Sequence, residues 1–217
     1  MNRKTTSKKL VLMAGNIGSG KTSLTKLLGE KLGWYTAYES VADNPYLPDF
    51  YADMKKWSFH LQVYLLGNRS IQHRQLAASP QSAIIDRSIY EDPYIFARAL
   101  YEMGNLAERD YQAYLNLYEV VSSTLPKPDL LIYLKAPVPV LLKRIQRRAR
   151  SIEDNIDPDY LALLDRFYKE WIQSFDLCPI LTIQSDSTDF VNKAEQLDLV
   201  TSHILDRLAG TEEIILD

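Results

Sequence analysis

Leu10-Val11-Leu12-Met13-Ala14-Gly15-Asn16-Ile17-Gly18-Ser19-Gly20-Lys21-Thr22 is the stretch on which the fold of this chain turns. An apolar run passes into G-x-x-x-x-G-K-T, and Ser23-Leu24-Thr25-Lys26-Leu27-Leu28 follows with helical spacing. Strand, glycine-rich loop and helix in that order make a phosphate-binding P-loop. Glycines let backbone N–H groups turn inward around phosphate oxygens, at a helix N-terminus whose dipole favours anions. The expected cradle comprises Gly15, Asn16, Ile17, Gly18, Ser19, Gly20, Lys21, Thr22 and Ser23. Lys21 is suited to reach β- and γ-phosphates, and the Thr22 hydroxyl to ligate Mg²⁺. The motif implies a nucleoside triphosphate ligand.

Apolar strand-like runs recur outward from this point, at 35–38, 83–85, 130–134 and 180–183. Helical periodicity fills 57–77, 90–103, 110–124, 138–148 and 160–175, and a last amphipathic helix is expected within 190–208. Strands alternating with helices predict an α/β fold: a three-layer P-loop architecture, with five parallel strands covered by helices on both faces. Strand order is not legible at this level. No repeat or linker divides the 217 residues, so one domain is expected, with residues 1–8 as a flexible tail.

Composition narrows the function. A formal charge of -3 argues against a general nucleic-acid or membrane-surface binder. No apolar run is long enough to span a bilayer. Cys178 is the only cysteine, so no intrachain disulfide can form, which suits a cytoplasmic setting. The three histidines share no ligand spacing with it, and no structural metal is assigned.

Ligands of an open parallel sheet sit beyond the carboxyl ends of its strands. Glu39 follows the second apolar run and Asp86 ends the third. Asp86 stands where a P-loop protein places an acid of its Mg²⁺ shell, with the cation of Arg87 next to it. Arg144, Arg147 and Arg148 fall at i, i+3 and i+4 of one helix, and Arg150 joins them only where that helix ends. An arginine-rich lid over about 144–156 would close on a transferring phosphoryl group, stabilise its charge and exclude water.

These residues together resemble the deoxyribonucleoside kinase family, in particular its bacterial deoxyadenosine/deoxyguanosine kinase branch. The resemblance rests on the P-loop, Asn44-Pro45-Tyr46-Leu47, Lys56-Trp57-Ser58-Phe59-His60-Leu61-Gln62, Asp86-Arg87-Ser88-Ile89-Tyr90 and Arg148-Ala149-Arg150-Ser151-Ile152-Glu153, and covers nearly the whole chain. It implies transfer of the ATP γ-phosphoryl group to the 5′-hydroxyl of a deoxynucleoside. Glu39 would be the general base, Arg87 would align it with the hydroxyl, and Lys21, Arg144, Arg148 and Arg150 would stabilise the transferred group. Tyr51 and Glu153 would hold the 3′-hydroxyl. Asp189 and Phe190, after the last strand, resemble the loop that holds the ATP base.

For the acceptor base, the resemblance points to Gln62, Arg69 and Asp92. Gln62 offers paired donor and acceptor groups, and it lies two helical turns from Arg69 on one face. Asp92 can accept from an exocyclic amino group, whereas thymine would leave it unpaired. Deoxyadenosine is therefore expected first, then deoxyguanosine or deoxycytidine. The chain departs from the family at Glu39-Ser40, where a proline is common, and at Ile152, where a second acid often stands. The family is usually homodimeric. A nucleoside monophosphate kinase is the nearest alternative, although the acceptor region offers groups for hydroxyls and a base rather than for a phosphate. A nucleotide-dependent switch would require N-K-x-D and D-x-x-G stretches that are missing from the expected places.

Overall fold

The computed structural model describes residues 8–38, 44–148 and 156–210. Glu39, Arg150 and Glu153 lie outside the described residues.

Strand β1 (Leu10–Gly15) is buried throughout and forms the centre of a five-stranded parallel sheet. The order is β2 (Tyr35–Ala37), β3 (Ala83–Asp86), β1, β4 (Leu130–Lys135), β5 (Ile180–Gln184). A strand in that position must be apolar on both faces, and Leu-Val-Leu-Met-Ala is. Alternate residues divide between two cores. Leu10, Leu12 and Ala14 pack with α3 (Met54–Ala78), α5 (Glu108–Ser123) and α7 (Pro158–Ser174). Val11 and Met13 pack on the other face with α1 (Lys21–Leu32) and α8 (Ala194–Ala209). Helices thus cover both faces, as expected. A third cluster, Leu141, Ile145 and Leu161, joins α6 (Val138–Arg148) to α7.

The register matters for the site. Met13 pairs with Asp86, so the acid ending β3 lies beside the chain entering the P-loop. Several boundaries differ from the sequence expectation. Helix α3 begins at Met54 rather than Trp57, because the Asp53 carboxylate caps it by accepting from the Lys56 N–H at 3.1 Å. A six-residue helix, α2 (Leu47–Ala52), is too short to show periodicity in the sequence. The single helix expected over 90–103 is instead a π-helical segment, Asp92–Ala97, running into α4 (Arg98–Glu102). Pro93 there has no N–H to give the carbonyl four residues back, so an ordinary helical start is denied. The last helix starts at Ala194. Of the expected tail only Lys8 lies within the described residues; its ammonium donates to the carbonyls of Ala77 and, at 3.0 Å, Ser79, near the end of α3. Cations are favoured at that end of a helix.

Candidate active site

The P-loop is shaped by close approach. Gly15 has φ 145°, and a Cβ there would meet the Leu134 carbonyl oxygen at 2.5 Å. Gly18 has φ 81°, and its Cβ would meet the Leu141 carbonyl oxygen at 2.9 Å, so the loop lies directly on α6. The Lys21 ammonium donates to the carbonyls of Gly15 at 2.7 Å and Asn16 at 3.1 Å, which holds it over the loop. Asn16 is buried and donates through Nδ2 to the Leu161 carbonyl of α7 at 2.9 Å. Ile17 and Ser19 complete the turn, the Ser19 N–H donating to the Asn16 carbonyl at 3.1 Å. Thr22 and Ser23 open α1 on its exposed side.

Thr22 Oγ1 donates to Asp86 Oδ2 at 2.5 Å. Asp86 is buried, and its Oδ1 has no hydrogen-bond partner among the described residues. A hydroxyl and a carboxylate with an unused buried oxygen form the hard, oxygen-only donor set that suits Mg²⁺. Arg87 then turns the chain with φ 73°, a left-handed conformation that costs a non-glycine residue about 1 kcal/mol or more. Its N–H donates to the Met13 carbonyl at 3.1 Å, and its guanidinium lies 3.6 Å above the Phe96 ring centroid. The Phe96 ring thus supports Arg87.

Sequence reading passed over Glu91. It is 0% exposed, and its carboxylate accepts from the Ser88 N–H at 3.0 Å and from the Tyr168 hydroxyl at 2.6 Å. Burial pushes its pKa up, and Lys21 and Arg87 oppose that shift. Tyr160, on the first turn of α7, also approaches Arg87 and Tyr51; burial pushes its pKa up to about 12, so its hydroxyl stays neutral.

The acceptor-base candidates converge. Gln62 (3% exposed) and Arg69 (6%) lie on the buried stripe of α3, and Arg69 pairs with Asp92 (0%) at the start of the π-helical segment. At that burial the pair is not a surface ion pair. Gln62 Oε1 is buried without a hydrogen-bond partner among the described residues. Tyr114 of α5 is fully buried nearby; burial raises its pKa well above the ordinary value, and Asp92 adds to that. Tyr51 lies in the last turn of α2 and is 50% exposed.

Helix α6 is equally tied. Arg144 donates to the Ser19 carbonyl at 3.2 Å, to Ser185 Oγ at 3.0 Å and to the Ser185 carbonyl at 2.5 Å. It therefore joins α6 to both the P-loop and the end of β5, whereas Arg147 and Arg148 are exposed. Asp189 is half-buried; N–H groups of Asn192 hold its carboxyl below the usual range. Phe190 is buried, its ring 3.4 Å from where a Gly20 Cβ would stand. Among the described residues, no helix is long and apolar enough to cross a membrane.

A P-loop, the Thr22–Asp86 oxygen pair, an arginine turn and a buried polar cluster on α3 fit a phosphoryl-transfer enzyme acting on a nucleoside-like acceptor. The family model described as deoxynucleoside kinase matches residues 11–209, and the chain belongs to that family. It is 36% identical over 197 residues to the deoxyadenosine/deoxycytidine kinase of Bacillus subtilis strain 168, covering 90% of this chain and 91% of that one. A deoxyguanosine kinase of Lactobacillus acidophilus is 36% identical over 219 residues, covering 96% and 94%. The solved deoxyadenosine kinase of M. mycoides, with the products dCMP and a flexible dCDP bound, superposes with a TM-score of 0.79 at 29% identity, over 91% of this chain and 99% of that one. The monophosphate-kinase and switch alternatives give way to this assignment.

Proposed function

We propose that the chain transfers the ATP γ-phosphoryl group to the 5′-hydroxyl of a deoxynucleoside, with deoxyadenosine first and deoxycytidine or deoxyguanosine after it. The observation that carries this reading is the buried Arg69–Asp92 pair, two turns along the buried stripe of α3 from Gln62. Asp92, held by Arg69, suits a base that donates from an amino group, and the carbonyl of thymine would face a carboxylate. Relatives named for deoxyadenosine, deoxycytidine and deoxyguanosine support the same range.

In this reading the P-loop amides and Lys21 hold the donor phosphates. Thr22 and Asp86 would hold Mg²⁺, which neutralises phosphate charge when bound. Glu39 accepts the hydroxyl proton as the new P–O bond forms, so its position matters more than its basicity. Arg87 aligns that hydroxyl. Tyr51 and Glu153 take the 3′-hydroxyl, Arg148 and Arg150 face the transferred group, and the Asp189–Phe190 turn borders the donor base. Arg144 acts from the stem of the lid through Ser19 and Ser185. The proposed setting is the cytoplasm, as a homodimer. Ile71 on α3 and Leu117 and Val120 on the adjoining α5 are exposed apolar residues that such a contact would cover.

The test is a rate panel of four deoxynucleosides with ATP and Mg²⁺. Turnover of the three amino-bearing bases well above thymidine is expected, with a nucleoside 5′-monophosphate as product. A preference for thymidine would overturn the base assignment. Glu39→Gln should abolish transfer while ATP binding persists, and unchanged turnover would contradict the base.

A further inference from the structure

Glu91 is fully buried beside the phosphate-binding loop, and none of the roles above uses it. A carboxylate in that position needs partners for both oxygens. Oε1 has the Ser88 N–H at 3.0 Å, and Oε2 has the Tyr168 hydroxyl at 2.6 Å. Each partner leads to a working part of the site. Ser88 follows Arg87, whose left-handed turn is held on its other side by the Met13 carbonyl at 3.1 Å. Tyr168 is fully buried on α7, stacked on Tyr133 of β4 at 5.8 Å between centroids. Helix α7 also receives the P-loop's Asn16 at the Leu161 carbonyl.

We propose that Glu91 is a positioning residue for phosphoryl transfer: through Ser88 and Tyr168 it fixes the turn that aims Arg87 and seats that turn on α7. The carboxylate also gives the neighbouring cations Lys21 and Arg87 a shared counter-charge. This rests on the phosphoryl-transfer role proposed for Arg87.

Glu91→Gln keeps the size and an acceptor for Ser88 but removes the charge. Tyr168→Phe removes one hydroxyl and leaves the ring packed. Steady-state rates with ATP and the preferred deoxynucleoside are measured beside thermal melts. Glu91→Gln should lower kcat about 10- to 100-fold and Tyr168→Phe about threefold to tenfold, with both KM values within about twofold. The double variant should be no slower than Glu91→Gln alone, because both changes act through one contact. A purely structural role would lower the melting temperature and leave kcat per folded molecule unchanged; that result overturns the proposal. Losses that multiply in the double variant overturn it as well. If Glu91→Gln does not fold, Tyr168→Phe decides: an unchanged kcat overturns the proposal and a reduced one sustains it. An active wild type with unaffected variants defeats only this inference, whereas a wild type inactive on every deoxynucleoside defeats the phosphoryl-transfer reading beneath it.

Discussion

Thr22 and Asp86, 64 residues apart, share a hydrogen bond of 2.5 Å. That contact joins the last residue of the P-loop motif to the carboxyl end of β3. The parallel register of β1 and β3 delivers it, since Met13 and Asp86 are partners.

The first prediction concerns this pair. Asp86→Asn keeps the shape and can still accept from Thr22, but it loses the charge a divalent cation needs. Activity at fixed Mg²⁺ should fall about 10- to 100-fold, as when the surroundings of a metal are altered. The half-saturating Mg²⁺ concentration should rise. Initial rates across a Mg²⁺ titration check both, and an unchanged titration would remove Asp86 from the cation's surroundings.

Arg69 and Asp92 supply the second. Asp92→Ala removes the carboxylate that faces a buried guanidinium, and breaking one side of such a pair costs about 3–5 kcal/mol. The double variant Arg69→Met, Asp92→Leu should regain much of that loss, because neither charge then remains buried. Base discrimination should be lost in both, with ATP affinity little changed. Chemical denaturation and the four-base panel measure the two effects separately.

What the sequence made legible follows from distance along the chain. Strand β1 and the P-loop motif are thirteen contiguous residues, and β1, β3 and β4 carry their burial in their own composition, so strands and glycine turn could be read directly, though not the strand order. Gln62 and Arg69 were readable together because seven residues return to the same helix face. Glu91 was not, since its partners are a backbone N–H and a tyrosine 77 residues later. In sequence Tyr168 is one more ring on an apolar stripe, beside Leu164, Phe167 and Trp171. The anchoring of Arg144 was hidden for the same reason: Ser19 and Ser185 come from two other elements, and helical spacing shows only which arginines share a face.

His73 gives a prediction about pH. It is buried on α3, and its Nε2 lies 2.7 Å from the Pro126 carbonyl while Nδ1 has no hydrogen-bond partner among the described residues. Burial lowers its pKa below 6.5, and the carbonyl opposes this in part. The neutral ring is therefore the folded form. Below pH 6.5 the unfolded chain binds a proton that the folded chain does not, so stability falls with pH until the folded pKa is reached. Above 6.5 the group contributes no slope. His73→Gln, which can still donate to Pro126, should flatten the decline between about pH 6.5 and 5, measured by thermal melts across that range.

The last prediction follows from Arg144. Its guanidinium holds three oxygens at once, from the P-loop at Ser19 and from the β5 end at Ser185. A planar fork of donors can do this, and a single ammonium cannot match the same geometry. Arg144→Ala unties α6 from the loop it packs on. Because hydrogen bonds from a charged group are worth about 1.5–3 kcal/mol each, kcat/KM for ATP should fall about 10- to 100-fold. Arg144→Lys should restore only part of the loss. Global stability should fall as well, since three bonds within the folded chain are lost, although the α6–α7 contact on Leu141, Ile145 and Leu161 stays in place. If α6 is the stem of the proposed lid, loosening it should also admit water, so ATP hydrolysis without acceptor should rise relative to transfer. Measuring phosphate release with and without deoxynucleoside gives that ratio; a ratio equal to wild type would show that Arg144 serves donor binding without helping to exclude water.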